Sequence, residues 1–169
     1  MRARLIAVLA ALALALVAVA PAAAAGGGVQ VSKAEDIHVE FEAGLSCPFA
    51  VSWDTVTNHQ HVLTYPVRAN GDQLIRTVGP SRVRVSNVTT GEAVTVLVYG
   101  PFDLLLRASG QIDVRGVGGV IGAYFPTDVG GPNMFYFRGH LNDVVDADFN
   151  VLSHSFKGKA RDLCAALAP

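Results

Sequence analysis

Three groups of residues have the types and spacing to do chemistry. His59 and His61 read H-x-H. On a strand, side chains two apart share a face, and two imidazoles on one face are half of a zinc site. Asp54 or His38 could complete it, although Asn58-His59-Gln60 also reads as a loop tip. Asp146, Asp148 and Asn150 read D-x-D-x-N, the opening of a calcium loop. An EF-hand loop continues with glycine at its sixth position and a carboxylate at its twelfth; Val151 and Lys157 stand there. The same residues fit a hairpin turn with acids at its bend. His140 and Asp143, with Ser153 or Ser155, are the residue types of a hydrolase's base, orienting acid and nucleophile. Such sets are assembled in space, so spacing does not establish one. The chain has neither a G-x-S-x-G elbow nor an H-E-x-x-H motif. The glycines at 116, 118, 119 and 122 do not open a helix, as a phosphate-cradling loop requires. No cofactor is expected.

The compartment bears on the two cysteines. Arg2 and Arg4 precede an uncharged apolar run from Leu5 to Ala20; Pro21 ends it, and Ala22 to Ala25 supply small residues for cleavage. The run is shorter than the roughly 20 residues that span a bilayer. The expectation is a signal peptide over 1–25, a flexible leader over 26–35 beginning Gly26-Gly27-Gly28, and one β domain over 36–169. Cleavage would leave 144 of the 169 residues, secreted and not embedded in a membrane. In an exported chain, Cys47 and Cys164 are expected to form a disulfide. A bond between such distant positions is worth about 4–5 kcal/mol in the chain-entropy model.

Losing Arg2 and Arg4 leaves 11 basic residues against 14 acidic, scattered along the chain. That balance argues against nucleic acid and anionic membrane surfaces as partners, since both require a basic footprint. Asn87-Val88-Thr89 is a glycosylation sequon, read as a coincidence within a strand.

The elements that must position these residues are strands. Val39 and Phe41, Phe49, Val51 and Trp53, Val83 and Val85, Val94, Val96 and Val98, and Ile112 and Val114 recur at period two. That is the pattern of half-buried antiparallel strands. Asn70-Gly71, Thr90-Gly91 and Ser109-Gly110 sit between such runs, where glycine supplies the positive φ of a tight hairpin. They predict pairing of 61–68 with 73–78, 82–88 with 92–99, and 102–107 with 111–117. Asp146-Ala147-Asp148 would join 134–145 to 149–158. The fold class is all-β: an antiparallel meander of roughly ten strands, forming a barrel or sandwich. Leu163 and Leu167, four apart, predict a short C-terminal helix over Lys159–Leu167.

Trp53, Tyr65, Tyr99, Tyr124, Phe135, Tyr136 and Phe137 could line a pocket for a small apolar ligand if the sheet closes into a barrel; they equally suit an ordinary core.

The Ala-rich leader, Cys47-Pro48-Phe49, Phe156-Lys157-Gly158 and Arg161-Asp162-Leu163-Cys164-Ala165-Ala166-Leu167 resemble a group of small secreted β-domain proteins from high-GC Gram-positive (actinobacterial) bacteria. The resemblance implies export and the Cys47–Cys164 bond; it carries over no catalytic residue. The function expected is that of a secreted non-enzymatic domain binding a small apolar ligand or a cell-envelope component. The alternatives are a secreted hydrolase using His140 with Asp143, and a structural or surface-interaction protein.

Overall fold

A computed structural model describes residues 27–169; the expected signal peptide, 1–25, lies outside the described residues. The period-two segments form β1 (Gln30–Lys33), β2 (His38–Phe41), β3 (Val51–Asn58), β4 (His61–Thr64), β5 (Gln73–Val78), β6 (Ser81–Asn87), β7 (Ala93–Val98), β8 (Phe102–Leu106), β9 (Ile112–Tyr124), β10 (Asn133–Val145) and β11 (Val151–Asp162). One helical turn follows, α1 (Leu163–Ala166). The strands make two antiparallel sheets, ordered β1-β4-β5-β8-β9-β10-β11 and β2-β3-β6-β7. Neither closes on itself, so of barrel and sandwich the architecture is the sandwich. Among the described residues no helix is long and apolar enough to cross a membrane.

All four expected hairpins are present: β4 with β5, β6 with β7, β8 with β9, and β10 with β11. Two expectations need correction. The leader over 26–35 contains β1, which adds to the edge of the larger sheet by pairing with β4. The helix expected over Lys159–Leu167 begins only at Leu163. Lys159 to Asp162 continue β11, because Phe135 to Arg138 of β10 offer a ladder to pair with. Asp162 then caps the turn, its carboxylate accepting from the Ala165 N–H at 2.9 Å.

The three long strands turn a corner together. Gly118, Gly139 and Gly158 stand opposite one another across β9, β10 and β11, with φ of 100°, 152° and 145°. A Cβ on Gly139 would lie 2.2 Å from the Lys157 carbonyl oxygen, and one on Gly158 would lie 2.3 Å from that of Arg138. Only glycine fits there, and a row of glycines lets strands bend from one layer to the next. Before the corner, β9 pairs with β8; beyond it, Gly119 bridges to Tyr99, next to β7 of the smaller sheet.

Each side of the bend has its own core. Between the smaller sheet and the far arms lie Val39, Phe41, Val51, Val85, Val96 and Met134, closed by Leu163 and Leu167 of the C-terminal turn. Trp53 packs edge-on against Phe41, with ring centres 5.2 Å apart. Inside the bend, Val120, Tyr124, Phe137 and Leu141 pack with Phe102, Phe135, Val151 and Phe156. The Cys47–Cys164 disulfide forms as expected, joining the loop before β3 to α1 across 117 positions.

Candidate functional site

Two places gather polar chemistry. The first lies inside the bend. Asp143 of β10 stands opposite His154 of β11, and its Oδ1 is 2.7 Å from His154 Nδ1. Tyr124 reaches over from the far arm of β9: its hydroxyl donates to Asp143 Oδ2 at 3.0 Å and lies 2.9 Å from His154 Nδ1. If Nδ1 carries the ring proton, the carboxylate accepts from both neighbours, and Nε2 is left as a lone-pair acceptor. Burial raises the Asp143 carboxyl above its ordinary range, against the lowering hydrogen bond from His154. Burial also raises the Tyr124 phenol, with the Asp143 charge second. The two arms of the bend are therefore tied by a polar triangle in which the Asp143 carboxylate and the Tyr124 hydroxyl are buried and partnered, while the His154 ring is partly exposed.

This triangle replaces the expected pairing of His140 with Asp143. Three residues apart on one strand, those two point to opposite faces: Asp143 is buried, while His140 is exposed and opposite Lys157. Ser153 and Ser155 share the His140 face, opposite Val144 and Asn142. The structure thus separates the acid from the other members of the supposed set.

The metal candidates are dispersed as well. His61 begins β4, but His59 lies in the preceding loop, so the two rings do not share a strand face. His38 and Asp54 lie in the other sheet and pair with each other at 2.5 Å. The Asp54 hydrogen bond, then its charge, raises the His38 pKa. Asp146, Asp148 and Asn150 form the β10–β11 turn. Asp146 Oδ1 accepts from the backbone N–H of Asp148 and of Asn150, each at 2.9 Å. The Asn150 side chain, then its backbone, holds the Asp146 carboxyl below its ordinary range. That is a carboxylate spent on shaping a turn. Among the described residues no three His, Cys, Asp or Glu side chains are placed to hold a metal ion.

The aromatic candidates do not line one pocket. Trp53 and Tyr136 pack against the first core, and Tyr124, Phe135 and Phe137 fill the second. Tyr65 lies just past β4, half-buried, and Tyr99 stands at the corner. Asn87 is 1% exposed and its amide donates to the Leu167 carbonyl, which leaves the sequon closed to modification.

The second gathering is basic and lies on the outer face of β10 and β11. Arg138 stands directly opposite Lys159, and His140 directly opposite Lys157; Arg161 follows, opposite Tyr136. All five of these basic side chains are exposed. Two shallow grooves, of about 420 and 430 Å³, both include Arg138 and Lys159 in their lining. Tyr99 and the glycine corner border one; Thr95 to Leu97 of β7 border the other. Among the described residues no carboxylate forms an ion pair with Arg138, Lys157, Lys159 or Arg161. Arg76 and Arg107 differ: Arg76 is bidentate to Asp103, and Arg107 holds both Asp72 and Asp113; Arg115 of β9 is exposed and, among the described residues, without an ion pair.

The basic groove was missed at the sequence level, where Lys159 and Arg161 fell within the expected helix. Its signal is Lys157-x-Lys159-x-Arg161 at strand period. Compared with protein-family models, curated proteins and solved structures, the chain has no match.

Proposed function

We propose that this is an exported, non-enzymatic binding domain whose ligand is an anionic component of the cell envelope, held in the groove over β10 and β11. One observation carries the reading: like charges face each other across the strands, Arg138 on Lys159, with Lys157 and Arg161 on the same face to either side. Directly opposed like charges destabilise a sheet. Arg76 and Arg107 are matched with carboxylates, whereas Arg138, Lys157, Lys159 and Arg161 have no such partner among the described residues. An anionic ligand would supply it.

The disulfide suits export, because such bonds persist in oxidising compartments. An apolar ligand has less support, since five of the seven aromatic side chains expected to line its pocket, Trp53, Tyr124, Phe135, Tyr136 and Phe137, pack in the two cores. A hydrolase built on His140 with Asp143 would need groups that face opposite sides of β10.

The test is calorimetric titration of the protein with anionic and neutral envelope polysaccharides. Anionic polymers are expected to bind, more weakly as salt rises, and the double variant R138Q/K159Q to lose most of that binding. Equal binding of neutral polymers, or binding indifferent to both substitutions, would overturn the reading.

A further inference from the structure

Resting on that anion-binding reading, we propose that the ligand is a linear polymer carrying phosphodiesters in its own backbone, and that it lies lengthwise over β10 and β11. The spacing of the cations leads there. Lys157, Lys159 and Arg161 occupy alternate positions of β11, which puts them about 6.8 Å apart along the strand. His140 and Arg138 face the first two from β10, about 4.8 Å across. The result is a short ladder: a rung with a cation at each end, Arg138 and Lys159, a rung where Lys157 faces the His140 imidazole, and a third with Arg161 alone, because the Tyr136 hydroxyl opposite is turned to the Leu97 carbonyl at 2.7 Å.

A phosphodiester matches such a rung. Its single negative charge is shared by two oxygens that project to opposite sides of the chain, so one oxygen can meet each rail. Arg138 offers a fork of N–H donors and Lys159 a mobile point charge. Because the charge sits in the polymer backbone, it advances with the polymer and can meet rung after rung. A carboxylate hung from a sugar ring presents both oxygens on one side and would meet one rail. The track has a wall on one flank, Thr95 to Leu97 of β7 with Tyr99 beyond, and backbone at its floor where Gly139 and Gly158 lack side chains. Single-stranded nucleic acid also carries backbone phosphates, but its bases need aromatic platforms. The rings bordering this track are Tyr99 and the tethered Tyr136, so a polymer without bases fits better.

The experiment measures binding of poly(glycerol phosphate) fragments of increasing length, across a range of salt. Affinity is expected to rise by roughly tenfold or more from one phosphate to three and then to level off, as the ladder fills. The slope of log K against log salt should be about −2, at roughly 0.7 for each of three phosphates engaged. R138Q and K159Q together should make it shallower by about 0.7, the share of the one phosphate they hold; R82Q, on the other sheet, should change nothing. Retained Trp53 fluorescence shows that each variant is folded. Glycerol phosphate binding as tightly as the polymer would overturn the ladder while leaving an anion site. Equal binding of poly-glutamate or hyaluronan would overturn the backbone-phosphate assignment, and preference for oligo-dT would overturn the exclusion of bases. If no polyanion binds, the anion-binding reading falls with it.

Discussion

Asp143 is a carboxyl group held at 8% exposure with two partners, Tyr124 and His154. Its pKa is raised by burial, so it favours the folded state most when protonated, and that contribution is lost as pH rises through its folded pKa. Asn has the same shape without the charge. D143N should therefore gain stability relative to the parent as pH rises from acid to neutral, read from melting temperatures; a relative loss at neutral pH would mean the ion pair with His154 outweighs burial. D143A removes the acceptor that the Tyr124 hydroxyl and the His154 ring share and should cost about 1–3 kcal/mol. Sequence reasoning singled out Asp143 but gave it the wrong histidine. His140 fails on strand parity, since residues three apart face opposite sides, and the meeting with His154 turns on one residue of register. The pairing shifts between Val144 and Val145, beside a turn where Phe149 adopts a φ of 64°. A bulge of that kind moves every later residue to a new partner, and no periodicity in the strands announces it.

The row of glycines across β9, β10 and β11 converts three straight strands into a bent sheet with a core on each side. G139A should destabilise by about 1–3 kcal/mol from backbone strain alone, and by more if Lys157 cannot retreat, in urea unfolding followed by Trp53 fluorescence. Parental stability would mean the corner is not conformationally demanding. The hairpins were legible because each turn glycine sits between alternating runs. The corner was legible only as an oddity: glycines thinning a strand say that something bends, but their alignment depends on pairings that close later. The strand–helix boundary near Lys159 was misjudged for a related reason. Ala160, Leu163, Ala165, Ala166 and Leu167 favour helix locally, and the waiting ladder of β10 overrode that preference up to Asp162. With it went the view of Lys157, Lys159 and Arg161 as one face.

At the scale of the molecule, the sandwich could be anticipated from its strands, but the way it distributes charge could not. Bases scattered along the chain become a patch because β10 and β11 lie side by side. The disulfide was visible from composition, and it ties the smaller sheet's entry loop to the chain's last turn. C47S/C164S should lower stability by up to about 4–5 kcal/mol, and reductant should reproduce that loss in the parent; unchanged melting temperatures would show the bond to be dispensable. The same tether bears on timing. Leu163 and Leu167 have no exposed surface, and they seal a core begun by Val39, Phe41 and Val51. A growing chain therefore lacks the plug for its first core until residue 167 has left the ribosome, and contacts this distant in sequence form slowly. Cys164 arrives in the same turn, so the disulfide can close only once that plug is within reach of the loop that holds Cys47.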